Sequence, residues 1–139
     1  MTGGVKQMAK ILVIEDDEEM RDLLSMLLVD DGHQVIVAKD GREGVKRFHQ
    51  FHPNLVITDI YMPNKDGIEV IRELIDFNPK QAIIAMSGDY YCIPVSYNVD
   101  LASAFGARGV LIKPFGRGQL REIITEVLGQ TASSIACYA

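Results

Sequence analysis

Short apolar runs alternate along the chain with longer segments in which apolar residues recur at helical spacing. The runs KILVI (10–14), QVIVA (34–38), AIIAM (82–86) and GVLI (109–112) are predicted strands, as is the segment LVITD that ends at Asp59. Runs this apolar are typical of strands that are buried on both faces of a sheet.

Between these strands the apolar spacing becomes that of helices. Spacing of i, i+3, i+4, i+7 and i+8, which makes one apolar helix face, occurs in the first and last helical segments: Met20, Leu23, Leu24, Leu27 and Leu28, then Leu120, Ile123, Ile124, Val127 and Leu128. A second helix is predicted after Asp40-Gly41 and a third after Gly67. Because Pro94 disfavours a continuous helix, a short fourth helix is expected to start near Val99.

Five strands alternating with five helices predict βα units, right-handed crossovers and a parallel sheet covered on both faces. The fold class is therefore α/β, a doubly wound sheet. We expect one domain over residues 9–129, with a disordered N-terminal extension (1–8) and a flexible C-terminal tail (130–139). Such sheets bind ligands outside the carboxyl ends of their strands.

Composition narrows the class of protein. The chain has 139 residues, 47% of them apolar and 24% charged, and a net charge of −5, which describes an ordinary globular domain. No run of Lys or Arg occurs, so direct nucleic-acid binding is not expected. No apolar run reaches membrane-span length, and no signal-peptide pattern opens the sequence, so a cytoplasmic location is predicted. Cys92 and Cys137 show no metal-binding spacing and are expected to be reduced thiols.

Polar side chains stand at the carboxyl ends of four predicted strands. The first strand runs into Glu15 and Asp16, the third ends on Asp59, the fourth on Ser87 and the fifth on Lys113. Converging acids repel one another unless a hard cation joins them, and Mg²⁺ suits few carboxylates and several waters. A lysine and a hydroxyl beside such a site suit a phosphoryl group. Each feature alone is common in turns and helix starts, so the prediction rests on their joint placement.

Four motifs carry a family resemblance: ILVIEDD at the first strand end, DIYMPNKDG after the third, MSG after the fourth and LIKPF after the fifth. From Ala9 to Leu128 the chain resembles a response-regulator receiver domain of the two-component signalling family. The resemblance implies a flavodoxin-like sheet of five strands in the order 2-1-3-4-5.

The resemblance also implies roles for the residues at the strand ends. Asp59 would be the phosphoacceptor, a nucleophile that attacks phosphorus on a sensor histidine kinase and forms an acyl phosphate. Ser87 would hydrogen-bond one phosphoryl oxygen and Lys113 would pair with another. The protein would then be a phosphoprotein of a phosphorelay and no enzyme, except toward its own phosphorylation and dephosphorylation.

The implied metal site belongs to the same edge. Asp16, Asp59 and the backbone carbonyl of Tyr61 would coordinate Mg²⁺, with Glu15 acting through water. The Met62-Pro63 pair would set the tight loop that aims the Tyr61 carbonyl at the metal.

The expected output surface consists of the fourth helix, the fifth strand and the fifth helix. Val110 stands where the family often has an aromatic residue that turns inward on activation, so we expect the signal to travel through the loop after Ser87. That loop is longer than is usual for the family, and the excess falls in residues 89–98. The downstream partner is an unknown protein, self-association as a homodimer is left open, and the domain either stands alone or was trimmed from a longer regulator.

Two alternatives come from other classes of protein. A Mg²⁺-dependent aspartyl-phosphate hydrolase also uses an Asp nucleophile, but enzymes resembling the haloacid dehalogenase family carry a second Asp two residues later, where this chain has Tyr61. A phosphorylation-independent binding module is the other alternative, although every expected acceptor-site residue is present.

Overall fold

The computed structural model describes residues 8–62, 64–88, 100 and 102–129, and the strand at 136–138. Strands and helices alternate, and the bounds are β1 (Lys10–Ile14), α1 (Glu18–Asp30), β2 (Gln34–Ala38), α2 (Gly41–Phe51), β3 (Leu55–Asp59), α3 (Gly67–Phe77), β4 (Ala82–Ser87), a short helical segment α4 at Asp100 and residues 102–104, β5 (Gly109–Ile112), α5 (Arg117–Gly129) and β6 (Ala136–Tyr138). The five predicted strands and the intervening helices are thus confirmed.

All strands pair in parallel, in the order β2-β1-β3-β4-β5-β6. The predicted order 2-1-3-4-5 is therefore confirmed, and the sheet extends one strand further. Residues 136–138, which lie in the segment predicted to be a flexible tail, pair with residues 109–111. Without this segment the outer edge of β5 would present unpaired backbone groups, and a short segment can pair with such groups whatever its side chains.

Apolar side chains fill one core layer on each face of the sheet. One layer joins β1, β3, β4 and β5 to the inner faces of α1 and α5, and includes Leu24, Leu28, Leu120 and Ile123. The opposite layer lies under α2 and α3 and includes Phe48, Val70, Ile71, Leu74 and Val110. Because both faces are covered, ligands have access to the sheet at its strand ends.

Three of the helices begin on an aspartate that caps them. The side chains of Asp17, Asp40 and Asp66 accept hydrogen bonds from backbone N–H groups in the first turns of α1, α2 and α3. An aspartate here satisfies a helix donor and complements the helix dipole, which fixes where the helix starts. Asp17 and Asp40 lie within three residues of the ends of β1 and β2, whereas Asp66 lies seven residues after the end of β3, so the first two connecting loops at this edge are shorter than the third.

Gly67 allows α3 to start directly against the end of β3. A Cβ placed on Gly67 would collide with the backbone carbonyl oxygen of Asp59 and lie 2.7 Å from Cα of Ile60. The Gly67 N–H instead donates to the carbonyl oxygen of Ile60 at 2.7 Å. A residue without a side chain is therefore required for the loop after Asp59 to close this tightly.

Several sequence-based expectations concern residues outside the described ones. These are the disordered extension at residues 1–7, the loop at 89–98, Pro63, and the tail at 130–135 and 139, and they stay predictions. Met8 is described and is 75% exposed. Among the described residues, no helix combines the length and hydrophobicity needed to span a membrane.

Candidate functional site

Three carboxylates meet at the carboxyl edge of the sheet. Glu15 follows β1, Asp16 comes next, and Asp59 ends β3; one carboxylate oxygen of each lies within 4.8 Å of the others. Glu15 and Asp59 are buried, whereas Asp16 is exposed. The sequence predicted that these acids would lie close together, and they do so because β1 and β3 are adjacent parallel strands that end at the same edge.

Lys113 crosses the same edge from the end of β5. Its Nζ donates to Oε1 of Glu15 at 2.9 Å and to Oδ2 of Asp59 at 3.0 Å. The side chains of Glu15 and Asp59 are 1% and 3% exposed, so these ion pairs are largely shielded from water. A charged lysine therefore holds two acids that would otherwise repel each other.

Burial and neighbouring charges shift the pKa values of Glu15 and Lys113. Desolvation, followed by the negative charge of Asp59, raises the pKa of Glu15 to about 7, while Lys113 opposes the rise. Burial also works to lower the pKa of Lys113, but the charges of Asp59 and Glu15 outweigh it and the pKa rises. The lysine is thus cationic at every physiological pH, and the raised pKa places the titration of Glu15 near neutral pH.

Ser87 ends β4, the strand between β3 and β5. Its Oγ is buried and has no hydrogen-bond partner among the described residues. Its carbonyl oxygen accepts a hydrogen bond of 2.6 Å from the N–H of Lys113. A buried hydroxyl without a partner is uncommon, because its desolvation is then uncompensated. It marks a place where a polar ligand would be stabilised.

Tyr61 lies in the loop after Asp59. Its backbone N–H donates to Oδ1 of Asp59 at 3.4 Å, and its side chain is half-buried against the core layer under α3. The structure thus brings together the five residues that the strand-end pattern placed at this edge and Tyr61, which the family resemblance added: Glu15, Asp16, Asp59, Ser87, Lys113 and Tyr61. Their individual roles stay predictions.

Arg21 was not predicted from the sequence to belong to this site. Its Nη1 donates to the backbone carbonyl oxygen of Glu15 at 2.9 Å. A signal was present, since Arg21 is a cation within one helical turn of the acidic stretch EDDEE. It was overlooked because apolar periodicity and strand-end position do not report contacts between a side chain and the backbone.

The donor set fits a hard divalent cation. Three carboxylates at the ends of two adjacent strands offer oxygen ligands, Asp16 faces solvent, and no His or Cys among the described residues belongs to the group. Mg²⁺ favours such a site of few carboxylates that leaves room for retained waters. The buried Ser87 hydroxyl and the Lys113 ammonium add a donor and a charge for an anionic oxygen nearby.

The sheet order and the acidic edge define a doubly wound α/β domain of the flavodoxin-like type, and comparisons with known proteins agree. The family described as response regulator receiver domain matches residues 11–125. Over 124 residues the chain is 33% identical to the chemotaxis protein CheY of Halobacterium salinarum, covering 87% of this chain and 98% of that protein. Over 127 residues it is 34% identical to the probable transcriptional regulator ycf27 of Porphyridium aerugineum, covering 88% of this chain and 49% of that protein.

A solved structure shows the same likeness in three dimensions. A response regulator receiver domain protein from Clostridium thermocellum matches with a TM-score of 0.80 and 32% identity, covering 87% of this chain and 94% of that one. The chain belongs to the response regulator receiver domain family of two-component signalling. Receiver domains are signalling modules that bind Mg²⁺ at an acidic pocket and act with histidine kinases.

Proposed function

We propose that this receiver domain accepts a phosphoryl group on Asp59 from a phosphohistidine of a sensor histidine kinase, with Mg²⁺ at the acidic edge. The observation that carries the proposal is that Lys113, Asp59 and a Ser87 hydroxyl with no hydrogen-bond partner among the described residues meet at three neighbouring strand ends. A carboxylate that is held rigidly beside a fixed cation and a spare donor is arranged to receive an anionic group.

The transfer is a displacement at phosphorus. A carboxylate oxygen of Asp59 forms a bond to phosphorus while the P–N bond of the phosphohistidine breaks, and the electron pair of that bond remains on the imidazole nitrogen, which takes up a proton from water. Lys113 already lies 3.0 Å from Asp59 Oδ2, so its ammonium can pair with a phosphoryl oxygen with little movement. The Ser87 hydroxyl can donate to a second phosphoryl oxygen.

Asp16, Asp59 and the carbonyl of Tyr61 would hold Mg²⁺, with Glu15 acting through a water molecule. The bound cation would neutralise charge on the phosphoryl oxygens as the P–O bond forms. Glu15 is buried and paired with Lys113, whereas Asp16 is exposed, which supports direct coordination by Asp16 and an indirect role for Glu15.

Phosphorylation of Asp59 would change the surface formed by α4, β5 and α5, and a partner protein would bind this surface. Ser87 and Lys113 are joined by a backbone hydrogen bond of 2.6 Å, so a phosphoryl group that binds both would act on the ends of β4 and β5 together. Val110 is fully buried and paired with Ala85 of β4. It offers no aromatic ring to move, which supports transmission by the loop after Ser87. The expected partner at this surface is an unknown downstream protein.

The test is phosphorylation by a small-molecule donor such as acetyl phosphate, followed by intact mass, with Mg²⁺ or with a chelator. Wild-type protein should gain one acid-labile phosphoryl group only with Mg²⁺, and Asp59→Asn should gain none. Asp66→Asn is the matched control, because Asp66 caps α3 in the same loop and asparagine caps equally well. Labelling of Asp59→Asn at the wild-type rate would overturn the acceptor assignment.

A further inference from the structure

We propose that Arg21 is a positioning residue for the metal site: its guanidinium fixes the peptide between Glu15 and Asp16, so that the exposed Asp16 carboxylate stays in the acidic cluster. The inference rests on the proposed function in taking Asp16 as a metal ligand. It adds a residue that contacts neither the metal nor the phosphoryl group. Arg21 is half-buried and reaches the Glu15 carbonyl oxygen with Nη1 at 2.9 Å.

The Glu15 peptide lies where the sheet ends. Ladder pairing of β1 stops at Ile14, and the next N–H, that of Glu15, still donates to the carbonyl oxygen of Ala38 at 3.1 Å. The Glu15 carbonyl is beyond the ladder and receives its hydrogen bond from the side chain of Arg21 instead. A charged donor makes a stronger hydrogen bond than a neutral one, so this clamp holds the strand end more firmly than a ladder bond would.

Three hydrogen bonds close a ring around Asp16. Glu15 Oε2 accepts from the N–H of Asp17 at 3.3 Å, the Asp17 carbonyl oxygen accepts from the N–H of Arg21 at 2.9 Å, and Arg21 Nη1 returns to the Glu15 carbonyl oxygen. Asp16 lies inside this ring and is itself exposed. These three hydrogen bonds therefore hold the backbone on both sides of Asp16, while burial contributes little to holding its exposed side chain.

Two further hydrogen bonds of helix α1 involve Asp17 and Arg21, two members of this ring. The Asp17 side chain caps the helix by accepting from the N–H of Glu19 at 3.2 Å, and Ser25 Oγ donates to the Arg21 carbonyl oxygen at 2.8 Å. Arg21 thus links the first turn of a rigid helix to the metal loop. Partners that orient a metal ligand in this way contribute measurably to metal affinity.

When Arg21 is replaced by a neutral side chain, a role through charge and a role in positioning predict opposite changes in Mg²⁺ affinity. The guanidinium lies beside the acidic loop, well within the Debye length of about 8 Å at physiological salt, so it repels Mg²⁺. If charge were its whole contribution, Arg21→Met would bind Mg²⁺ more tightly than wild type. If Arg21 positions Asp16, the same variant binds Mg²⁺ more weakly, because the loop that carries the ligand is released.

The experiment measures the Mg²⁺ dissociation constant by amide chemical-shift titration of unphosphorylated wild type, Arg21→Met and Arg21→Lys. We expect about a tenfold weaker affinity in Arg21→Met, at the lower end of what outer partners of metal ligands supply. Arg21→Lys keeps a charged donor and should recover part of the loss. Arg121→Met is the control, because it removes an arginine that pairs with Asp31 at the far end of α1, and its Mg²⁺ affinity should match wild type.

A second readout needs no metal. In metal-free protein, hydrogen exchange at the hydrogen-bonded amides of Glu15 and Asp17 should accelerate at least about fivefold in Arg21→Met, with no change at the β3 amides, since a local clamp is lost while the fold persists. Unchanged or tighter Mg²⁺ binding by a folded Arg21→Met protein would overturn the proposal. If wild type binds no Mg²⁺, the proposed function fails, and unchanged exchange at the Glu15 and Asp17 amides would then overturn the positioning role separately.

Discussion

Nζ of Lys113 lies 2.9 Å from Oε1 of Glu15, although the two residues are 98 positions apart in the chain and two strands lie between β1 and β5. The same nitrogen is 3.0 Å from Asp59 Oδ2. One side chain therefore ties together the ends of three strands. Its removal leaves two buried carboxylates facing each other, and this determines what a mutation of Lys113 should do.

Lys113→Met should destabilise the metal-free protein in a pH-dependent way. Breaking a buried ion pair by removing one partner costs about 3–5 kcal/mol. At pH 8 the full cost should be seen in urea unfolding, whereas at pH 5 Glu15 can take up a proton and the loss should shrink. Lys65→Met is the control, since it removes an exposed pair with Glu73 and should cost at most about 1 kcal/mol. Equal losses at pH 5 and pH 8 would contradict this prediction.

The raised pKa of Glu15 predicts a slope of stability against pH. Burial first, and then the charge of Asp59, raise this pKa from 4.5 to about 7. Between these values the folded protein keeps a proton that the unfolded chain releases, so the free energy of unfolding falls as pH rises through this window, by up to about 3 kcal/mol. Unfolding curves of wild type and Glu15→Gln, measured without divalent cations from pH 4 to 8, test it.

Glutamine does not titrate, so the Glu15→Gln curve should lack this fall, and other titrating groups cancel in the difference between the two proteins. Mg²⁺ should flatten the wild-type slope, because a bound cation favours the ionised carboxyl. Parallel curves for the two proteins would show that Glu15 has an ordinary pKa.

Gly67→Ala should disturb the acceptor loop as well as the fold. The added methyl group would overlap the Asp59 carbonyl oxygen, which belongs to the backbone and cannot rotate away. Overpacking of this kind costs about 1–3 kcal/mol, and the shift should also slow phosphorylation. Gly118→Ala is the control, because no described residue lies within 4 Å of a Cβ placed on Gly118 and alanine favours helix. Wild-type stability and labelling in Gly67→Ala would mean that the loop can move without cost.

The sequence was sufficient to predict the features of the fold that follow from the spacing of apolar residues. The predicted β1 (10–14) and β5 (109–112) match the observed strands, because a continuous apolar run is what a doubly covered strand requires. The predicted bounds of β2 (34–38) are also correct, although β2 is the edge strand and only its last residue, Ala38, is buried. The meeting of Asp59 with Glu15 and Lys113 followed from the rule that parallel strands end at one edge.

Other features depend on contacts that no apolar pattern records. The strand at residues 136–138 forms by backbone pairing along the edge of β5, so its short ACY sequence gave no signal. The clamp from Arg21 to the Glu15 carbonyl depends on where α1 starts relative to β1. No described residue hydrogen-bonds the Ser87 Oγ, and this depends on how the surrounding side chains pack, which the sequence does not record.

That missing partner leads to the last prediction: Ser87→Ala should stabilise the protein and impair phosphorylation at the same time. The buried Oγ lacks a hydrogen-bond partner among the described residues, so removing it relieves a desolvation cost and should raise the free energy of unfolding by about 1 kcal/mol. The same change removes the donor proposed for a phosphoryl oxygen, so labelling by acetyl phosphate should slow.

Thr58→Val is the control for this prediction. Thr58 is equally buried, but its Oγ1 donates to the Asp59 carbonyl oxygen at 3.0 Å, and loss of this hydrogen bond should destabilise the protein. Urea unfolding and labelling rates of both variants give the answer, and a Ser87→Ala protein that loses stability as Thr58→Val does would show that the hydroxyl is already satisfied in the folded state.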